Sequence, residues 1–268
     1  MQGSAAGVIA FMLITLPMYD YPELAHATEA WAEAIARHAG VGVRLSRPED
    51  YAGAWTRDDL LFSQTCGYPF THAFRGELTL VGTPHYDAPG CRGMFYSSAV
   101  IARERREKDA FRNAVAAVNT QDSMSGMLAL KLFFIACAEN GQFFGRTLLT
   151  GGHVRSLDAL QRGAADVCAI DAVCLAYVRR HRPELLEGLH VIGVTPEVPG
   201  LPYVTRDRDG ARWQRAVAAA VADPGLSDVR AQLMICGFSQ TTPADYEIIP
   251  ALEQSLQVRG GLRFDWES

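Results

Sequence analysis

The stretch VNTQDSMSGMLALKLFF, residues 118–134, joins the end of a small buried strand to an apolar run with helical spacing. Ser123, Ser125 and Gly126 stand where the predicted helix begins. The first N–H groups of a helix lack backbone partners and carry a partial positive charge, so they attract anions. Serine hydroxyls add donors, and glycine lets a bound oxyanion approach the backbone closely. The stretch therefore predicts an oxyanion site, although Asp122 or Ser123 could equally serve as a plain N-cap with nothing bound.

Short apolar runs alternate with amphipathic segments on both sides of this stretch, which predicts an α/β fold. The predicted strands are residues 12–16, VGVRLS at 41–46, 60–63, 78–86, a continuous strand over 94–103, 114–119, 165–171 and a strand within 189–206. The predicted helices are residues 23–40, a polar helix at 106–113, 154–163 with Ser156 as its N-cap, 211–223 and 250–258. Two long segments, near 96–103 and near 191–204, are where the chain would pass between two lobes.

The composition limits the classes of partner. The 268 residues are 49% hydrophobic and 21% charged, which is enough for one large core or two modest ones, and the net charge is −5. Basic residues are interspersed with acidic ones, so we expect no nucleic-acid partner. The longest apolar run, residues 7–16, is shorter than the roughly 20 residues that span a bilayer, so we expect no membrane insertion.

The beginning of the chain bears on its location. Residues 1–11 start with MQGSAAG and are expected to be a tag or a disordered start. The apolar run of residues 7–16 lacks the basic segment and the small-residue cleavage site of a signal peptide. We therefore expect a periplasmic protein if a signal peptide has been removed, and a cytoplasmic one otherwise.

Cysteine and histidine spacing predicts neither a metal site nor a cofactor. The six cysteines form no CxxC pair, and the seven histidines form no HxxxH or HExxH pair. The cysteines are interpreted as ordinary buried thiols. Cys66 has no general base at a readable spacing, so no catalytic residue is predicted.

A second candidate segment is TGGHVRSLDALQRGAADVCAID, residues 150–171. His153 follows a Gly-Gly turn and could donate to an anion, and Asp171 ends a buried strand and could accept from a ligand amine or hydroxyl. The alternatives are a solvated histidine and an aspartate that only caps a turn or helix.

A third segment is SQTCGYPFTHAF, residues 63–74. Thr65 and Tyr68 follow a predicted strand, and strand ends that face a crevice between lobes are where α/β proteins bind ligands. Tyr19 and Tyr96 are polar aromatic residues at other strand ends. Each of them taken alone could also be a tyrosine at the edge of a core.

Five segments, in chain order, resemble the phosphate/phosphite/phosphonate-binding proteins of ABC transporters, the PhnD-like group of type II periplasmic binding proteins. They are LLFSQTCGYPF, MFYSSAVIAR, SMSG at the start of a helix, GGHVRSLDALQRGAADVCAID and VIGVTPEVPGLPYVTR. The resemblance implies an α/β Venus-flytrap fold of two lobes with a mixed sheet in each. Lobe 1 would comprise residues 12–97 plus 200–268 and lobe 2 residues 98–199, with the ligand cleft between them.

The same resemblance implies roles for particular residues. In that family the Ser-x-Ser segment and the following histidine hold the phosphoryl or phosphonyl oxygens, and Ser123, Ser125 and His153 match by position. Tyr96 stands where a binding tyrosine is common. Asp171 stands where an acidic residue of some members meets the amine of the ligand.

The function implied by the resemblance is that of a solute-binding protein without catalysis. It would capture a small phosphorus oxyanion (phosphonate, phosphite or phosphate) for an ABC importer, with an ABC permease as partner, and it would be a monomer. Met124 departs from the family, because a threonine is more usual there and one hydroxyl donor is lost. The alternative is a cytosolic enzyme or ligand sensor on the same fold that acts on a phosphorylated or sulfonated small molecule, with His153 as general base and Cys66 nearby in the enzyme.

Overall fold

The computed structural model describes residues 12–266 of the chain. Residues 1–11, for which a tag or a disordered start is expected, lie outside the described residues, as do residues 267 and 268. The strands are β1 Leu13–Thr15, β2 Leu60–Gln64, β3 Thr79–Tyr86, β4 Cys91–Arg92, β5 Phe95–Tyr96, β6 Ser98–Ala102, β7 Val115–Val118, β8 Arg146–Leu149, β9 Val167–Asp171, β10 His190–Val194, β11 Val198–Pro199, β12 Tyr203–Thr205 and β13 Ile235–Ser239. The α-helices are α1 Ala25–His38, α2 Tyr51–Ala54, α3 Gly67–Thr71, α4 Ala129–Phe134, α5 His153–Gln161, α6 Ala172–His181, α7 Gly210–Ala222, α8 Ser227–Gln232, α9 Pro243–Tyr246 and α10 Ile248–Val258.

Two five-stranded mixed sheets form the framework, which confirms the predicted α/β class with a mixed sheet in each lobe. The first sheet has the order β1-β2-β12-β3-β13, with β1 parallel to β2 and the other pairs antiparallel. The second has the order β10-β6-β9-β7-β8, with β7 parallel to both β8 and β9. We call each sheet, with the helices packed on it, the first and the second lobe.

Two chain segments cross between the lobes and pair with each other. The chain leaves the first lobe after β3 and enters the second at β6, and it returns from β10 to β12. On the way, β5 pairs with β11, so that Tyr96 lies opposite Val198. The exact lobe boundaries stay a prediction. The last described residues, expected in lobe 1, contact the second lobe, because Trp266 bridges to Thr147 at the β8 edge.

The core of the first lobe follows from the spacing of its apolar residues. Trp31 and Ile35 are four residues apart on α1, so they share one face, and both are buried against the first sheet. Phe62 of β2 lies between the rings of Trp213 and Tyr203, with centroids 5.2 and 5.0 Å away. Each side chain of this size contributes about 1.5–3 kcal/mol on burial, so this layer fixes α1 and α7 on the sheet.

The three inner strands of the second sheet, β6, β9 and β7, are buried on both faces, as their continuous apolar runs predict. Along β6, Ile101 packs with α5 and α6, whereas Val100 and Ala102 belong to the cluster on the other face. This alternation is the period of two that a strand imposes. None of the helices within residues 12–266 is long and apolar enough to cross a membrane.

Two predicted strands were wrong in part. In VGVRLS, residues 41–46, one residue forms a bridge, Leu45 with Ile14, because β1 is only three residues long and its register is irregular. The continuous strand predicted over 94–103 is divided at Ser97, whose N–H donates to Gly90 O at 2.8 Å. Because of this division, β5 pairs with β11 in the crossing segments, while β6 pairs with β9 in the second sheet.

Two predicted helix details were also wrong. The polar helix at 106–113 is reduced to a 3-10 turn, Lys108–Phe111. Ser156 does not cap α5, because that helix already begins at His153 after Gly152. The Ser156 hydroxyl is buried instead and lies 2.7 Å from Thr150 Oγ1.

Candidate functional site

A cavity of about 860 Å³ lies between the lobes. The first lobe contributes Tyr19 after β1 and Cys66 after β2, and the second contributes Ser125, His153 and Asp171. The three residues of the second lobe meet because β7 runs parallel to β8 and β9, so the segments that follow these strands leave at one edge of the sheet. The parallel strands therefore bring together side chains that are far apart in sequence.

The helix after β7 begins with a wide turn. Ser123 is its N-cap and its Oγ accepts from the N–H of Gly126 at 2.9 Å. Residues Met124–Leu128 form one π-helical turn, in which the Leu128 N–H donates to Ser123 O five residues back. The Met124 side chain turns into the core, and its N–H donates to Cys66 Sγ at 3.5 Å.

Ser125 and His153 form the central contact of the site. Ser125 Oγ lies 2.9 Å from His153 Nε2 and 3.5 Å from Ser123 Oγ. His153 is the first residue of α5, and Gly151 with φ +77° makes the turn before it, a conformation that favours glycine. Burial lowers the pKa of His153 to about 4, so the imidazole is neutral near pH 7.

Glycine at position 126 is needed for packing against Asn119. The sequence instead predicts that this glycine lets a ligand approach the backbone. A Cβ built on this residue would lie 1.9 Å from Asn119 Oδ1 and 2.7 Å from Asn119 Cγ. The Asn119 amide therefore rests directly on the first turn of the helix. Asn119 itself lines the cavity, whereas Gly126 does not.

Asp171 is both a helix cap and a wall of the cavity. Its Oδ1 accepts from the N–H groups of Val173 and Cys174 at 2.7 and 3.1 Å, and its Oδ2 accepts from the Tyr19 hydroxyl at 2.9 Å. Burial raises the pKa of Asp171 to about 6, although the donors from Cys174, Tyr19 and Val173 oppose the shift. The carboxylate is a buried acceptor in the wall of the cavity.

Tyr19 reaches Asp171 from a backbone conformation that is rare for a tyrosine. Its φ is +65°, in the left-handed region. The ring packs between Tyr86 and Tyr177, with centroids 5.2 and 6.1 Å away. These contacts and the hydrogen bond to Asp171 hold the residue in that conformation.

The remaining predicted site residues lie outside the cavity. Thr65 is fully buried, and its N–H donates to Pro202 O at 3.1 Å. The Tyr68 hydroxyl turns away and donates to Glu253 Oε1 at 2.6 Å. Tyr96 is buried in the crossing strand β5. Its hydroxyl makes no hydrogen bond of normal geometry within residues 12–266, although the Ser125 side chain lies close enough to oppose the rise in its pKa on burial. Together with Gly126, these three residues make four of the nine predicted site residues that do not line the cavity. The other five predicted residues line it.

Sequence reasoning missed several residues that line the cavity. Asn119 follows β7 directly, so the expectation that residues at strand ends face the ligand would have identified it. Arg155 lies two residues after His153 and donates to Gly151 O at 2.6 Å. Arg182 also lines the cavity, but it forms a bidentate pair with Glu23, with contacts of 2.6 and 3.1 Å.

The chemistry of these groups is that of hydrogen bonding. Burial raises the pKa of the Cys66 thiol to about 11, so little reactive thiolate forms near pH 7. A neutral imidazole with a lowered pKa is a weak general base. Within residues 12–266 no group of three or more His, Cys, Asp or Glu side chains could hold a metal ion.

Comparison with known families gives one match over most of the chain. The profile described as "ABC transporter, phosphonate, periplasmic substrate-binding protein" matches residues 13–246. A comparison with curated proteins finds no match.

Solved structures share this fold at low sequence identity. The chain is similar to PhnD1 from Prochlorococcus marinus (MIT 9301) in complex with methylphosphonate, with 13% identity, 92% of this chain and 98% of that chain covered, and a TM-score of 0.71. It is similar to a binding protein component of an ABC phosphonate transporter from Pseudomonas aeruginosa, with 17% identity, 92% and 87% coverage, and a TM-score of 0.73. It is also similar to a Xanthomonas citri protein bound to ATP, with 15% identity, 92% and 98% coverage, and a TM-score of 0.68.

Proposed function

The chain belongs to the family of periplasmic substrate-binding proteins of phosphonate ABC transporters, and from this premise we propose that its interlobe cavity binds a phosphonate, phosphite or phosphate. In the proposal, the oxyanion is held by Ser123, Ser125, His153 and the partial positive charge at the start of the helix. The single observation that carries it is the 2.9 Å contact between Ser125 Oγ and His153 Nε2 at a helix start inside the cavity.

The groups around the proposed oxyanion site suit a ligand that brings its own negative charge. His153 is neutral, and the Ser123 hydroxyl and the helix start supply hydrogen bonds and a partial positive charge without a formal cation. Arg155 stands at the same cavity and adds one positive charge. In a site closed from water, such hydrogen bonds to an anion are stronger than bonds between neutral groups.

Asp171 is proposed to accept a hydrogen bond from an amine or hydroxyl on the organic part of the ligand. Its Oδ1 is already used by the start of α6, so the ligand would share or replace the Tyr19 hydroxyl at Oδ2. The cavity of about 860 Å³ leaves room for an organic substituent beside the oxyanion. Phosphate has no organic part, so with phosphate bound Asp171 Oδ2 would keep its hydrogen bond from the Tyr19 hydroxyl.

We further propose that this chain acts in the periplasm and delivers its ligand to an ABC permease without transforming it. The family supports the location and the partner. The raised pKa of the Cys66 thiol and the lowered pKa of His153 support binding without catalysis, because neither group is activated for covalent or acid–base chemistry.

The experiment is thermal unfolding against phosphate, phosphite, methylphosphonate, 2-aminoethylphosphonate and sulfate. A ligand that binds only the folded state stabilises it by about 2.7 kcal/mol at a concentration of 100 times its Kd. Ser125→Ala and His153→Ala should each weaken binding by about 1–3 kcal/mol. Ser255→Ala, an exposed serine on α10, is the matched control and should bind as the wild type does. No shift with any phosphorus oxyanion would contradict the proposal.

A further inference from the structure

Asn119 lies between two parts of the proposed oxyanion site. It is the first residue after β7 and lines the cavity. One side of its amide rests on Gly126, and the other faces the imidazole, with Asn119 Nδ2 3.5 Å from His153 Nε2. Its Oδ1 is buried, and no group within residues 12–266 donates to it. The side chain is therefore held in place by packing, and its NH₂ group is the end that faces the histidine.

The imidazole of His153 carries one hydrogen, and its neighbours decide which nitrogen bears it. The ring is neutral because burial lowers its pKa to about 4. Ser125 Oγ and Asn119 Nδ2 both approach Nε2, at 2.9 and 3.5 Å. An amide nitrogen can donate but cannot accept, so it faces Nε2 favourably only when that nitrogen presents its lone pair. The hydrogen of the ring then belongs on Nδ1. No group within residues 12–266 meets this buried atom in hydrogen-bonding geometry, but the Ala169 backbone lies close enough to the ring to oppose the fall in its pKa.

This arrangement fixes the direction of the Ser125 hydroxyl. A serine has one hydrogen to donate, and with Nε2 as acceptor that hydrogen is used between Ser125 and His153. The lone pairs of the Ser125 hydroxyl, on a residue that lines the cavity, can then only accept further hydrogen bonds. A fully ionised phosphoryl oxygen can only accept, so it has no favourable contact with these lone pairs. A protonated P–OH oxygen can donate to them.

We propose that Asn119 is a positioning residue that makes the site select a phosphorus oxyanion carrying one proton over the fully ionised form of the same ligand. The proposal rests on the function proposed above and names the chemical form of the ligand: the singly protonated phosphonate, phosphite or phosphate. Asn119 acts through His153 and Ser125, and the remaining ligand oxygens accept from the start of the helix.

Other charged and titratable groups lie at the cavity or next to it and must be separated from this effect. They are Arg155 on α5, Asp122 before the helix, Asp171 at the end of β9, Cys174 and Arg182 at α6, Tyr96 on β5, and, from the first lobe, Tyr19, Asp20, Tyr21, Tyr51 and Cys66. Their titration would alter binding equally with Asn119 present or absent. The difference between the pH profiles of the wild type and of an Asn119 variant therefore isolates the Asn119 effect.

The first test measures the affinity of the full chain for methylphosphonate by calorimetry, from below to above the second ionisation of the ligand. The wild-type affinity is expected to fall by about tenfold per pH unit above that ionisation, because the singly protonated form falls in that proportion. In Asn119→Ala the slope should fall well below tenfold per unit. Gln161→Ala, an exposed amide on the same helix as His153, is the control and should keep the wild-type slope. Equal slopes in the wild type and Asn119→Ala would overturn the proposal.

The second test needs no ligand. Nitrogen-15 NMR of the imidazole rings, with His153 assigned by its loss in His153→Gln, reports which ring nitrogen carries the hydrogen. We expect Nδ1 in the wild type and Nε2 in Asn119→Asp, since a carboxylate accepts the hydrogen that the amide cannot. A hydrogen on Nε2 in the wild type would overturn the proposal. Absence of methylphosphonate and phosphate binding at every pH would instead contradict the proposed function, and the NMR result would still decide the role of Asn119.

Discussion

Asp171→Asn is expected to remove a pH dependence of stability that the wild-type chain has because of one buried carboxyl group. Asp171 is 1% exposed, and burial raises its pKa from 3.8 to about 6 in the folded chain. Asparagine keeps the shape and can still cap α6, because its side-chain oxygen accepts from the N–H groups of Val173 and Cys174. Its amide can donate to the Tyr19 hydroxyl.

The sign and the size follow from the raised pKa. Between pH 3.8 and about 6 the folded state holds more protons at Asp171 than the unfolded state does, so the free energy of unfolding falls as the pH rises. The stability from this group is fully present below pH 3.8 and is lost as the pH passes through the folded pKa of about 6. A shift of about two units corresponds to roughly 3 kcal/mol. Because an asparagine side chain does not titrate, the difference in stability between wild type and variant should change by that amount across the window.

Urea denaturation of both proteins at several pH values from 4 to 7 measures this difference, provided that the m-values stay equal. All other titrating groups are shared, so they cancel. Tyr19→Phe is the companion variant: it removes a donor that lowers the pKa of Asp171, so the loss of stability should extend to higher pH. Parallel stability curves for wild type and Asp171→Asn would refute the reasoning.

Three further predictions follow from single contacts. Gly126→Ala should destabilise the fold by about 1–3 kcal/mol, because its Cβ would overlap the Asn119 amide, and adding Asn119→Ala should recover part of the loss in a double-mutant cycle measured by denaturation. Tyr177→Phe should lower stability by about 1–3 kcal/mol in the same assay, since its hydroxyl donates to a buried backbone carbonyl of the other lobe at 2.6 Å. Alkylation followed by mass spectrometry should modify exposed Cys236 well before Cys66; equal rates would contradict the burial of the Cys66 thiol.

The convergence of the second-lobe site residues could be predicted in part, because it depends on sheet topology. Ser125 and Asp171 follow or end the buried strands β7 and β9, which the sequence predicts. His153 follows β8, a partly exposed edge strand that the sequence does not predict, and β7 is parallel to both β8 and β9. Apolar runs separated by helical segments indicate this arrangement, and the strand ends then share one edge. The sequence therefore places Ser125 and Asp171 at one end of the sheet without side-chain geometry, whereas the position of His153 beside them required the structure.

Side-chain direction could not be predicted in the same way. Tyr68 follows a strand as Thr65 does, yet its hydroxyl bonds to Glu253, which lies 185 residues further along the chain. The left-handed backbone of Tyr19 has no local signal, because tyrosine rarely adopts it and only tertiary contacts hold it there. The packing role of Gly126 could not be predicted either, since this role depends on the position of the Asn119 amide across the turn.

Residues that form the contact between the lobes also line the candidate ligand site. Tyr19 of the first lobe bonds to Asp171 of the second, and the pair of Glu23 with Arg182 lies along the same boundary. Both second-lobe partners belong to the start and the end of α6, so the helix is held at the two ends by the first lobe. A ligand amine that competes with Tyr19 for Asp171 therefore alters the lobe contact while it is being bound. Since a ligand shifts a conformational equilibrium only by its different affinity for the two states, the proposed ligand contact at Asp171 would be the point at which ligand chemistry changes lobe closure.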